Sequence, residues 1–285
     1  MILSPIEQSI KAKIEKAGTP LKDWDINIYR GVLTGFNDAF IISEEKRQEI
    51  LNSCKSKDER ERTAEIIRPI LRGRDIKRYS YEYADLYLIA TFPSKHYDIE
   101  EYPAVKKHLL SFGKERLEQT GKKYKIKGEE IKARKKTNNK WFETQDSISY
   151  WDEFNKPKIV WSRLMRLSKS DLTAFPRFCY VPEGFCVVDS LCFFTGADIK
   201  ILLKELNSEF AAYYFFNTVA TLDNGGFQMR QQYVEEIPLP KLRDSNTEID
   251  IDEAIYKAFD FTPLEIKFIK TSISNKRKEI ENLIK

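Results

Sequence analysis

Apolar side chains near the start of the chain recur at helical spacing, as Ile6, Ile10 and Ile14, behind Ser4 in N-cap position and Pro5 at the first helical position. The pattern predicts a helix closed by Gly18, read as a linker. From Ile26 the spacing changes: Ile26–Tyr29 and Ala39–Ile42 read as short strands, separated by the turn formers from Gly35 to Asp38. Residues 44–68 return to a helical pattern rich in Glu, Lys and Arg, ending before Pro69, which disfavours helical backbone at Arg68.

Tyr87–Thr91 reads as a buried strand, and Ile99–Gln119 as a helix beginning near Tyr102-Pro103 with Val105, Leu109, Leu110 and Leu117 on one side. Gly121–Lys140 has hardly an apolar residue and predicts a solvated loop, or a disordered arm that orders on binding. Lys158–Ser162 is a strand candidate, and Phe178–Val181 with Phe185–Val188 predicts a hairpin around Pro182–Gly184. Asp198 is expected to cap one apolar helix, Ile199–Val219; residues 242–250 read as a polar linker, and Thr262–Glu265 as the capping signature of a helix running to Lys285. The elements predict an α+β fold in which short strands and hairpins pack with helices, plus a C-terminal helix. They divide into a linker helix over 1–22, a main domain over 23–241, and a linker with a helical appendage over 242–285.

Composition agrees with a folded chain: 41% of the 285 residues are apolar and 13% aromatic, too many core formers for a disordered tail. The start of the chain lacks the apolar segment of a signal peptide, and no run approaches the roughly 20 apolar residues of a membrane span, so a cytoplasmic location is expected. Cys54, Cys179, Cys186 and Cys192 form no CxxC pair; buried reduced thiols are expected, and no structural metal. The net charge of +4 is modest, but from Ala104 to Trp141 thirteen Lys/Arg face four Glu, a local excess of nine positive charges suited to phosphate.

Catalytic signatures are sparse. No two of the prolines are adjacent, so the Asn/Asp-Pro-Pro-aromatic motif of adenine methyltransferases is missing, and Gly225-Gly226 follows a helix where a cofactor loop follows a strand. Acid-x-Lys triplets of the kind used by metal-dependent nucleases occur at Asp75, Glu130, Asp198 and Glu265, a number that a chain this rich in Lys and Glu supplies by chance. The expectation is a chain without catalytic residues.

Several separated blocks occur in a telling order: Tyr29–Gly35 with Asn37–Ile41, then Pro69–Tyr79, Tyr102-Pro103 with His108–Leu110, Lys140–Glu143, Lys158–Trp161, Asp189-Ser190 before Phe193–Gly196, Leu203–Ser208, Gly226–Tyr233 and Ile237–Pro240. Over Tyr29 to Lys241 the chain resembles the DNA target-recognition domains at the C-terminal end of TaqI-like adenine methyltransferases and type IIG restriction-modification enzymes. That resemblance implies a domain that recognises duplex DNA and directs an N6-adenine methyltransferase or restriction-methylase to its site. It places S-adenosylmethionine in an associated methyltransferase domain or subunit, not in this chain. Two other readings stay open: a metal-dependent nuclease, and a protein-interaction module that docks a methyltransferase through the terminal helix.

Candidate contacts follow from side-chain chemistry. In Leu71–Tyr79, Gly73 lets the backbone approach a phosphate while Arg72, Arg74, Lys77 and Arg78 offer charge-assisted donors; alternatively this is a solvated turn in which Asp75 pairs with one arginine. Arg134, Lys135 and Lys136 are placed on phosphates, and Asn138 and Asn139 on base edges, where an amide pairs bidentately with adenine. Arg163 and Arg166 follow a strand and could face the same groove. Gln228, Arg230, Gln231 and Gln232 form a further cluster, with Gly225-Gly226 expected to let that loop lie close to DNA.

Overall fold

A computed structural model describes residues 3–126, 128–223, 225–242 and 250–284. Of the expected polar linker, residues 243–249 lie outside the described residues.

The chain builds two four-stranded sheets. In the first, Ile67–Leu71 pairs in parallel with Cys186–Val187 and antiparallel with Leu86–Ile89, which in turn pairs with Ile41–Ser43. The second is antiparallel throughout, in the order Ile26–Arg30, Leu191–Gly196, Lys158–Ser162, Phe178–Val181. Side chains alternate across this second sheet: Val160, Cys179, Val181 and Phe193 join the core shared with the first sheet, while Ile159, Trp161, Phe178 and Phe194 join a second core beneath the helices. Being buried on both faces, its other three strands read as nearly continuous apolar runs, whereas the edge strand Ile26–Arg30 exposes Asn27 and Arg30.

The second core is closed by the helices Ile199–Leu206, Glu209–Thr218, Ile251–Ala258 and Pro263–Leu283. The N-terminal helix Pro5–Ala17 has the expected N-cap Ser4, which forms a capping box with Glu7, and buries Ile10 there as well. Ser9 and Lys13 donate to the Glu265 carboxylate at 2.6 and 2.7 Å. Burial alone would raise that carboxyl, but these donors, with Thr262, bring it down to about 2 and tie the first helix to the last.

Several expectations are corrected. Phe178–Val181 and Cys186–Val187 form no hairpin, because they belong to different sheets; the second segment pairs with Ile70 and Leu71 instead. The apolar stretch after Asp198 is two helices, broken where Asn207 turns its amide onto the edge strand: Oδ1 accepts from the Phe178 amide at 3.0 Å and Nδ2 donates to the Phe178 carbonyl at 2.9 Å. Asp198 adopts φ 54° and makes no cap bond, whereas Ser208 caps the second helix. Residues 44–68 are two helices, Glu44–Asn52 and Lys57–Ile66, followed by a strand that runs through Pro69. Finally, Gly121–Lys140 is not a loop throughout: Lys123–Ile126 and Glu129–Lys132 form a basic hairpin, turned at Gly128 with φ +90°.

Glu205 is fully buried, and neither carboxylate oxygen has a hydrogen-bond partner among the described residues. Burial pushes its pKa up to about 9. The native state therefore holds a proton that the unfolded chain releases above the ordinary carboxyl value of 4.5. Stability should fall as pH rises from 4.5 through about 9. Urea unfolding at pH 6 and pH 8.5 should show Glu205→Gln gaining about 1–2 kcal/mol at the higher pH and losing much of the slope; an unchanged slope would refute the assignment.

Candidate nucleic-acid interface

Strand pairing collects cations at one end of the second sheet. Trp161 lies opposite Phe178 and Ser162 opposite Leu191, so Arg163, Arg177 and Ser190 come together at the strand ends, with Arg30 at the matching end of Ile26–Arg30. The Arg163 amide donates to the Ser190 carbonyl at 2.9 Å, and its guanidinium to the Asp189 carbonyl at 3.2 Å. The first sheet delivers a further segment to the same place. The Val188 amide bonds the Leu71 carbonyl at 3.0 Å, which sets the Gly73–Asp75 turn beside Ser162 and Ser190.

A third segment is fixed by Met165 and Phe227, which exchange backbone hydrogen bonds of 3.0 and 2.8 Å, and by Trp161 Nε1, which donates to the Met229 carbonyl at 2.9 Å. Arg163 is thereby placed beside Gln228 and Arg230, and Arg166 lines the neighbouring cleft. The result is two adjoining clefts that share Leu164 and Ser190. One, of about 610 Å³, is lined by Arg74, Lys77, Arg78, Arg166 and Arg177 with Asp171; the other, of about 390 Å³, by Arg163, Gln228, Arg230 and Asp189. Across both, seven Lys/Arg face two Asp, an excess of five positive charges.

Within the Pro69–Tyr79 segment the cations divide. Arg72 is held by Asp75, with Nη2 at 2.9 Å and Nε at 3.1 Å from the two carboxylate oxygens, so it stabilises the turn. Lys77 pairs with Glu82 at 3.3 Å. Arg78 donates to the Asn207 and Thr173 carbonyls and so ties the turn to the helix break. Arg74 is exposed, without an ion-pair or hydrogen-bond partner among the described residues. Arg166 and Arg230 are likewise exposed and without a carboxylate partner there.

Arg134 is a correction. It is 4% exposed, and its guanidinium donates to the Leu117, Thr34 and Glu143 carbonyls at 2.8 Å and to that of Trp141 at 2.7 Å. Four of its five N–H donors, from all three nitrogens, are used inside the buried interior, so it does not track phosphate. Burial lowers its pKa to about 10, which leaves it charged at neutral pH. Asn139 is also turned inward, its amide donating to the Thr144 and Gln145 carbonyls. Lys135, Lys136 and Asn138 are exposed but line neither cleft; Lys135 lies within electrostatic reach of Asp146, itself coupled to Arg30 and Asp189. Gln231 bonds Glu235 at 3.0 Å, and Gln232 is exposed, both in the short helix beyond the cleft.

Gly225 and Gly226 are buried, and a Cβ on Gly225 would meet Ile280 and Ile284 at 3.1 Å. This corrects the expectation that they approach DNA: their freedom lets the loop pass under the terminal helix. Arg177 was missed because a lone cation before a strand carries no local signal. Its place beside Arg163 comes from strand register. The acid-x-Lys triplets do not converge: Asp75 is held by Arg72, Glu130 pairs with Lys123, Asp198 precedes a helix, and Glu265 caps one.

The family model for the TaqI-like C-terminal specificity domain matches residues 68–239. The chain belongs to this family. The span of the TaqI-like specificity domain includes every residue that lines the two clefts; the Tyr29–Ile41 block precedes it. Within that block Gly31 packs so tightly on the Val187 and Val188 carbonyls that no Cβ fits, and the Thr34 carbonyl receives Arg134, so the block braces the domain. Among solved structures, the fold is similar to the type IIG restriction endonuclease BpuSI, with TM-score 0.52 and 14% identity over 98% of this chain and 32% of that one. The type IIL restriction-modification enzyme MmeI, solved in complex with DNA, aligns with TM-score 0.47 and 8% identity over 94% of this chain and 34% of that one. The chain thus spans about a third of the length of BpuSI. The comparison with curated proteins gives no match. Among the described residues no helix is long and apolar enough to cross a membrane.

Proposed function

We propose that this chain binds duplex DNA through the two adjoining clefts and sets the sequence at which an associated N6-adenine methyltransferase or restriction-methylase acts. The observation that carries the reading is the convergence of Arg74, Arg166 and Arg230, from three separate segments, on one surface with an excess of five positive charges. Such cations neutralise phosphates and fix the register of the duplex, while half-buried Gln228 on the cleft wall has the donor-acceptor pair needed to read a base edge. S-adenosylmethionine and the methyl transfer belong, on this reading, to the associated domain or subunit, and the protein works in the cytoplasm.

Binding to a randomised duplex pool at fixed salt tests the proposal. A defined motif should be enriched, and Gln228→Ala should relax one position of it with little loss of overall affinity. Binding that is salt-sensitive but enriches no motif would remove the recognition claim.

A further inference from the structure

A third cleft, of about 570 Å³, opens at the other end of the Ile67–Leu71 strand, roughly 15 Å along it from the Gly73–Asp75 turn at about 3.3 Å per residue. Its walls are aromatic, from Phe92, Tyr97 and Trp151, and its charges are Arg68 and Lys95 against the exposed carboxylate of Glu65. Lys95 Nζ lies 3.4 Å from the centre of the Trp151 ring, held there by the ring and, among the described residues, by no carboxylate. Arg68 is anchored from one side only, Nη2 donating to Asn155 Oδ1 at 2.5 Å and to the Gly184 carbonyl at 3.2 Å.

Behind this cleft sits a cation that the DNA-binding reading does not use. Lys158 is fully buried, and its ammonium donates to the Phe154 and Pro182 carbonyls at 3.0 and 3.1 Å, without a carboxylate partner among the described residues. Burial, with the Arg68 charge acting the same way, lowers its pKa to about 8. Cations with so little compensating negative charge are costly to hold together, and an anion entering the cleft offsets that cost.

We propose that this cleft binds a nucleoside monophosphate, its planar base against the Trp151 and Tyr97 rings and its phosphate at Arg68 and Lys95. Both chemistries are present at one site of suitable size: π faces for a base and charge-assisted donors for a phosphate. Free nucleotide and a nucleotide swung out of a DNA strand share this chemistry.

The test is calorimetric titration of the full chain with AMP, adenosine and ribose 5-phosphate. AMP should bind with a Kd below about 1 mM, and each half alone about tenfold more weakly or worse. Lys95→Ala and Arg68→Ala should each weaken AMP about tenfold while leaving affinity for paired duplex unchanged. Because Arg68 also holds Asn155 and Gly184, Lys95→Ala is the decisive variant. Displacement of AMP by a duplex carrying one unpaired adenine, and not by a fully paired duplex, would assign the cleft to an extrahelical base; displacement by neither would assign it to free nucleotide. Absence of AMP binding at about 5 mM, AMP binding that survives Lys95→Ala, or displacement by fully paired duplex would overturn the proposal.

Discussion

Replacing Arg134 by alanine is expected to destabilise the domain rather than to weaken a DNA contact. The guanidinium joins four chain segments through the Thr34, Leu117, Trp141 and Glu143 carbonyls, and of these only that of Glu143 also receives a side-chain bond from Gln119. Removal leaves buried acceptors unpaired and opens a cavity beside Phe40, whose ring the guanidinium covers at 5.0 Å. A loss of about 3–5 kcal/mol follows, equivalent to a drop in Tm of roughly 10 °C in a chain of this size. Arg134→Lys should rescue little, since one ammonium cannot span carbonyls spread around a planar fork. The folded pKa of about 10 leaves the group charged in both states at lower pH, so the loss should be flat across neutral pH. Thermal melts at pH 6 and 8 with duplex titrations below the melting range check this. A variant that melts like the wild type but binds DNA weakly would restore Arg134 to the interface.

The strands of the second sheet were legible because burial on both faces leaves uninterrupted apolar runs such as Lys158–Ser162 and Phe178–Val181. Their partners were not legible in the same way. Sequence proximity favours a hairpin across Pro182–Gly184, but parallel pairing with Ile70 and Leu71 takes Cys186–Val187 into the other sheet. The break at Asn207 escaped because apolar residues continue on both sides of it, and its cause is a side-chain bond to a strand 29 residues away. The hairpin at Lys123–Lys132 lacks an apolar signal because it lies outside both cores and is held by cross-strand bonds and the turn at Gly128. The same limit applies to the cations. Composition marks Arg134 and Lys135 alike, yet alternation along an extended segment turns one inward and leaves the other exposed. Arg74, Arg166 and Arg230 were each recognisable as candidates, whereas their shared surface, and Arg177 within it, depends on strand register.

That shared surface predicts the largest change in binding. Arg74, Arg166 and Arg230 are exposed, come from three segments, and have no carboxylate partner among the described residues. Substituting all three by alanine should therefore leave the melting temperature within about 2 °C of the parent, surface changes of this kind being nearly neutral for stability. If each contacts one phosphate, the slope of log affinity against log salt should become shallower by about three, and duplex affinity near physiological salt should fall about 10²- to 10³-fold. Arg72→Ala provides the contrast. It frees Asp75, which is 4% exposed, so it should cost stability and lower DNA affinity only through the displaced turn. Salt-dependent titrations of the triple variant separate the possibilities: an unchanged slope would mean that the duplex lies elsewhere, on the surface bearing Lys135, Lys136 and the basic hairpin. A shallower slope with an unchanged motif would assign the three arginines to phosphate and leave base recognition to Gln228 and its neighbours on the cleft wall.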